Sequence, residues 1–157
     1  RIKRETGATM LLATKAFALP AVFPMMARTL DGTTASGEHE ARLGRETFGK
    51  QVHVYAPAYG PGEVERLSRI ADHIYFNSPS QIARHLPLVK AAGLPAGIRV
   101  NPGYSNATLG GPLYDPCAPG SRFGTPIGSG GFGIGWRRWR RRDRLPPPPV
   151  GPPGRPR

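Results

Sequence analysis

The segment His73-Ile74-Tyr75-Phe76-Asn77-Ser78-Pro79-Ser80-Gln81 decides how the chain is read. Ile74, Tyr75 and Phe76 are β-branched or aromatic, types that fit a pleated, buried surface. The run shows little polar alternation, which predicts a strand covered on both faces. Ser78, Pro79 and Gln81 then supply a helix start: a side chain to cap with, Pro at the first helical position, and Gln three residues after the Ser. Strand passes into helix within a few residues.

The same transition repeats outward from this point. Apolar or β-branched runs at 10–16, 29–35, 51–58 and 97–101 join 73–77 in a series spaced about every 20 to 24 residues. Between them Val64, Leu67 and Ile70 lie three apart, and Ile82, Leu86 and Val89 fall at i, i+4 and i+7, each set on one helix face. Gly93 suits a helix stop. Strand and helix alternating at a steady period predict an α/β fold with a parallel sheet. Five βα units are visible. A closed (β/α)8 barrel has eight and takes roughly 250 residues. The pattern therefore leaves two architectures open, a small open α/β sheet or part of a barrel.

After Asn101 the periodicity fades, and 102–126 is rich in Gly, Pro, Asn and Ser and reads as a long loop, a kind of segment that tends to be functional or disordered. From about Ser129 the composition turns to Gly, Arg and Pro, including Trp136 and Trp139 among arginines and the run 146–149 of Pro. Two readings account for this: a genuine basic, proline-rich tail, or a frameshift in GC-rich DNA near residue 129. The expected division is a body over 1–128 and a disordered or out-of-frame tail over 129–157. The tail carries eight arginines and one aspartate, so +7 of the net charge of +12 lies there and +5 remains on residues 1–128. The overall charge is thus not the signature of a nucleic-acid-binding body. Binding of RNA or anionic surfaces through the tail is the alternative function, since arginines neutralise phosphates and indoles stack on bases.

Other patterns are excluded by context. Gly128-Ser129-Gly130-Gly131-Phe132-Gly133 fits GxGxxG but follows no strand and opens no helix. His39, His53, His73 and His85 have no metal-ligand spacing with one another or with Cys117, so no metal is expected. The single cysteine excludes an internal disulfide. The longest apolar runs fall far short of the roughly 20 residues of a membrane span. There is neither an initiator Met nor a signal segment, so the expectation is a cytoplasmic protein whose start lies upstream.

Lys15 is the residue with chemical promise. It closes the apolar run Leu11-Leu12-Ala13-Thr14-Lys15-Ala16-Phe17. In barrels, catalytic groups project from the carboxyl ends of strands. A lysine among apolar neighbours has a lowered pKa, which favours a Schiff base; equally, a lysine at a strand end snorkels into solvent.

Five ordered motifs resemble the carboxynorspermidine/carboxyspermidine decarboxylases. They are 11–18 (Leu-Leu-Ala-Thr-Lys-Ala-Phe-Ala), 30–36 (Leu-Asp-Gly-Thr-Thr-Ala-Ser), 38–44 (Glu-His-Glu-Ala-Arg-Leu-Gly), 97–103 (Gly-Ile-Arg-Val-Asn-Pro-Gly) and 114–124 (Tyr-Asp-Pro-Cys-Ala-Pro-Gly-Ser-Arg-Phe-Gly). The resemblance runs from about residue 4 to 128. It implies the alanine-racemase-like fold group of ornithine and diaminopimelate decarboxylases, a (β/α)8 barrel binding pyridoxal 5'-phosphate followed by a β-rich domain. This chain would hold about five βα units and lack the second domain. It further implies that Lys15 bonds to the cofactor, that Ser36 and Glu40 lie beside cofactor and lysine, and that Arg99 faces the cofactor. Asp115 and Arg122, on the loop after the fifth strand, are expected to shape the substrate pocket. The implied partners are a polyamine amino acid as substrate and a second copy of the chain, with neither specific nucleic acid nor membrane. In that family the histidine packed on the cofactor ring, the phosphate-binding loop, the acid at the ring nitrogen and the general-acid cysteine come later than the matching residues, so Cys117 is not that cysteine. An incomplete barrel leaves sheet edges unpaired, so this chain alone is expected to be inactive and at best marginally folded.

Overall fold

Each of the five predicted runs contains or overlaps one strand. The computed structural model describes residues 1–106, 115–118 and 120–127. Strands β1 (Leu11–Ala13), β2 (Gly32–Ala35), β3 (Gln51–Tyr55), β4 (His73–Phe76) and β5 (Ala96–Ile98) form one parallel sheet in the order β1-β2-β3-β4-β5. The order never reverses, so there is no switch point of the doubly wound kind. Right-handed crossovers that always step the same way put their helices on one face, as in a barrel wall. The helices are α1 (Ile2–Thr6), α2 (Phe23–Met26), α3 (Glu38–Leu43), α4 (Glu63–Leu67) and α5 (Pro79–Ala91), with a π-helical turn over Gly44–Phe48.

Strand burial corrects the expectation of two covered faces. Val52, Val54, Ile74 and Phe76 are completely buried, and Ala41, Val64, Leu67 and Val89 from α3, α4 and α5 pack on them. A second cluster joins Leu12 to Phe23 and Phe48, whose rings meet edge to face at 5.5 Å. The alternate residues Leu11, Ala13, Thr34, His53, Tyr55, His73 and Tyr75 are only half-buried. On that face His53 stacks on His73 at 4.2 Å.

The helix starting at Ser78 forms as predicted. The Ser78 hydroxyl accepts from the Gln81 N–H at 3.3 Å, while the Gln81 carboxamide oxygen reaches one residue further back than in a capping box, to the Asn77 N–H at 2.7 Å. At the other end the Gly93 N–H bonds to Lys90 and the Leu94 N–H to Val89, the paired closure that the positive φ of Gly93 permits. The long loop over 102–126 is corrected at its far end, where Thr125–Pro126 is a short strand, β7, paired in parallel with Val100–Asn101, β6, which lies within the expected run 97–101. The tail over 129–157 and the GxGxxG segment lie outside the described residues.

The stacked histidines make stability depend on pH. Burial holds the His53 imidazole below the ordinary histidine value of 6.5, neighbouring His73 lowers it further, and Asp72 opposes both. The unfolded chain then takes up a proton before the folded one, so this contribution is present above pH 6.5 and is lost as pH falls below it. The midpoint of urea unfolding is expected to drop on acidification through that window, and His53→Gln is expected to flatten the slope.

Candidate functional site

The carboxyl ends of parallel strands collect the first residues of the following loops, and the predicted residues gather there in two groups. The first joins the ends of β1 and β2. Thr14 is buried, and its hydroxyl lies 2.9 Å from both the Thr34 carbonyl and the Glu40 carboxylate. The same Glu40 oxygen accepts from the Ser36 N–H at 2.8 Å. Glu40, in the first turn of α3, therefore ties the residue before Lys15 to the residue after β2. Lys15 itself is exposed and makes no hydrogen bond or ion pair among the described residues. The other three lysines are engaged: Lys3 with Asp31 and the Thr29 carbonyl, Lys50 with the carbonyls of Ala27 and Leu30, and Lys90 with a partner of its own.

A cavity of about 380 Å³ opens beside this group, lined by Ser36, Glu38, His39, Glu40, Glu63 and Arg66. Its lining holds three carboxylates and one arginine, and Glu38 is the carboxylate in an ion pair among the described residues. Arg66 lies 2.7 Å and Arg42 3.2 Å from Glu38, and Arg66 first, then Arg42, holds that carboxyl below its ordinary range. Lys15 and Arg99 do not line it.

The second group surrounds Arg99, directly after β5. Its guanidinium carbon lies 4.8 Å from the ring centre of Tyr55 and 4.8 Å from that of Phe123. A cation over an aromatic face gains about 0.5–2 kcal/mol, more as water is excluded. Arg122 places its own guanidinium 4.7 Å from the Phe123 ring and is exposed. Asp115 is occupied locally: its carboxylate accepts from the Cys117 N–H at 2.8 Å and builds a turn.

Residues 121–125 are held against the sheet edge by Asn77, which no sequence pattern singled out. Its carboxamide oxygen accepts from the Tyr55 hydroxyl at 2.7 Å and from the Gly124 N–H at 2.6 Å. Its amide nitrogen donates to the Arg122 carbonyl at 2.8 Å, and its own carbonyl accepts from the Thr125 hydroxyl at 2.9 Å. Tyr55, Phe123 and Thr14 were likewise missed. The available signal was position: Asn77 follows β4 as Lys15 follows β1, and a polar residue directly after a parallel strand faces the functional edge. Among the described residues no group of three or more His, Cys, Asp or Glu could hold a metal ion, and no helix is long and apolar enough to cross a membrane.

The chain is similar in sequence and in fold to known decarboxylases. It is 43% identical over 124 residues to a carboxyaminopropylagmatine decarboxylase of Synechocystis, covering 79% of this chain and 32% of that protein. It is 40% identical over 124 residues to a carboxynorspermidine/carboxyspermidine decarboxylase of Herminiimonas arsenicoxydans, covering 79% and 33%. The corresponding Campylobacter jejuni enzyme is 33% identical over 78% of this chain and 31% of its own length. A crystal structure of carboxynorspermidine decarboxylase from Campylobacter jejuni, complexed with norspermidine, superimposes with a TM-score of 0.65 at 27% identity, covering 80% of this chain and 30% of that one. No family model matches the chain. The chain is thus homologous to carboxynorspermidine-type decarboxylases and spans about a third of the length of the curated relatives it matches.

Proposed function

We propose that this chain is the lysine-bearing portion of a pyridoxal-phosphate-dependent decarboxylase acting on a carboxylated polyamine. The observation that carries this is Lys15. Of the four lysines, it alone is exposed with no hydrogen bond or ion pair among the described residues, and it stands at the carboxyl end of a parallel strand in a chain homologous to decarboxylases.

The donor set fits the cofactor. A primary amine with no competing carboxylate is free to bond an aldehyde carbon, and Ser36, Glu40 and Arg99 supply a hydroxyl, a carboxylate and a fixed cation on the same edge of the sheet. When bound, pyridoxal phosphate supplies an electron sink for the pair left behind as the substrate's α-carboxylate departs as CO2. The protein's part is positional. Glu40, tied by Ser36 and Thr14, holds the ends of β1 and β2 in one arrangement, and so orients the backbone that carries Lys15. Lys15 would hold the cofactor through Nζ, its primary amine. Arg99 would present a planar guanidinium, held between the Tyr55 and Phe123 rings, to the cofactor.

The relatives' names support the substrate class: they are decarboxylases of carboxyaminopropylagmatine and of carboxynorspermidine/carboxyspermidine. We further propose that residues 1–128 form the barrel portion and 129–157 a separate tail, and the change of composition to Gly, Arg and Pro supports that division. Incubation of the full chain with pyridoxal phosphate, reduction with borohydride and peptide mass spectrometry test the reading. Selective labelling of Lys15 is expected; equal labelling of Lys3, Lys50 and Lys90 would defeat it.

A further inference from the structure

We propose that Asn77 is the positioning residue that sets the orientation of Arg99. The two rings that enclose the Arg99 guanidinium come from distant parts of the chain, Tyr55 at the end of β3 and Phe123 on the segment before β7. Neither ring touches Arg99 through a directional bond. Both are anchored to one carboxamide. The Asn77 oxygen fixes the Tyr55 hydroxyl at 2.7 Å. The residues on either side of Phe123 bond to the same side chain, Arg122 through its carbonyl at 2.8 Å and Gly124 through its N–H at 2.6 Å.

These bonds leave the carboxamide no choice of orientation. The oxygen faces the Gly124 N–H and the nitrogen faces the Arg122 carbonyl, so a flipped amide would lose both backbone bonds. Asn77 is itself fixed from behind, because its N–H donates to Gln81 and the Gln81 amide donates to the Pro57 carbonyl at 2.8 Å. The docked segment must also approach closely. A Cβ on Gly124, which has φ +83°, would stand 2.9 Å from the Asn101 nitrogen and 3.2 Å from Cγ of Arg99. A side chain there would push the segment off the edge and take Phe123 with it.

The two arms therefore move together: releasing Asn77 frees the Tyr55 ring and the Phe123 ring at once, and Arg99 loses both ring contacts. This rests on the proposed function only for the use to which Arg99 is put. A guanidinium that serves a bound cofactor has to be held in one plane, and Asn77 supplies that constraint from a residue that does not itself touch the ligand.

The test is the Nε–H resonance of Arg99 in the full chain labelled with ¹⁵N, identified by its loss in Arg99→Lys. In the native chain ring currents from Tyr55 and Phe123 are expected to move it away from the free-arginine position. Asn77→Ala is expected to return it to that position, and Tyr55→Phe to move it partway, while the methyl resonances of Val52 and Ile74 stay where they are in the folded chain. An Arg99 resonance already at the free-arginine position in the native chain overturns the inference. So does one that stays displaced in Asn77→Ala with the methyl resonances intact. Where Asn77→Ala loses the folded methyl pattern, Tyr55→Phe decides: movement supports the inference and no movement overturns it. None of these measurements needs cofactor, so absence of pyridoxyl label on Lys15 would defeat the decarboxylase reading and leave this one standing.

Discussion

Phe76→Ala is expected to lower the folding free energy by about 3–5 kcal/mol, a large share of the roughly 5–15 kcal/mol that holds a domain folded. Phe76 is completely buried at the last position of β4, where the sheet meets α5. Its ring meets Tyr59 edge to face at 5.7 Å and lies nearly parallel to His85 at 5.6 Å. Tyr59 is committed as well: its hydroxyl donates to the Tyr75 carbonyl at 2.7 Å, and burial pushes its pKa well up. The space left by the ring cannot close easily. β4 is locked in register between β3 and β5, and α5 is fixed at its start by Ser78 and Gln81. The cost therefore includes a residual cavity as well as lost apolar burial. Urea unfolding should show a lower midpoint at unchanged slope. Tyr104→Ala is the control, because Tyr104 is 75% exposed and should change stability by no more than about 0.5 kcal/mol. A Phe76→Ala loss as small as that of Tyr104→Ala would mean that α5 does not pack on this face.

The same geometry explains what was legible in the sequence. A βα unit writes its period into the chain twice, as an apolar run and as helical spacing, and His73–Phe76 followed by Ser78-Pro79 shows both. Burial of the second face was not legible. His73 and Tyr75 are large, partly apolar side chains, and they read as strand core whether the face above them is covered or open. The pairing of β6 with β7 was invisible for another reason. It is two residues long and joins Val100 to Thr125 across a segment with no periodicity of its own. The steady stepping of the strands decides between the open sheet and the barrel wall, and strand order is a tertiary property that periodicity does not carry.

The site was legible by a different route. Ser36, Glu40 and Arg99 have no local pattern that marks them, and they entered through resemblance. Glu40 could have been reached from position, since a carboxylate in the first turn of a helix faces free N–H groups, but its bond to Thr14 joins residues 26 apart. The enclosure of Arg99 is more distant still. Tyr55 ends β3, Asn77 follows β4 and Phe123 precedes β7, and only the closing of 121–125 onto Asn77 makes them one structure. Asp115 shows the reverse case: its place on the loop suggested a pocket, and its carboxylate is spent on the turn at Cys117.

Lys15→Arg separates folding from chemistry, and its effect on the second is expected to be complete. Lys15 is exposed and contributes no hydrogen bond or ion pair among the described residues, so replacing it should leave stability within about 0.5 kcal/mol. Arginine preserves the positive charge and nearly the reach, which keeps the electrostatics of the edge unchanged for any phosphate-bearing ligand. What it removes is the primary amine. Attack on an aldehyde needs a neutral nitrogen lone pair, and a guanidinium, whose charge is delocalised over three nitrogens, does not provide one. Borohydride trapping with pyridoxal phosphate should therefore lose the label at residue 15 entirely, while the urea midpoint stays at its native value. Glu40→Gln, measured beside it, is expected to lower the yield of label without abolishing it, since the amide still accepts from the Ser36 N–H and loses only charge. Label that persists undiminished on another lysine in Lys15→Arg would assign the chemistry elsewhere. A fall in stability of several kcal/mol would instead make Lys15 a structural residue, held by contacts that its exposed position at the end of β1 gives no room for.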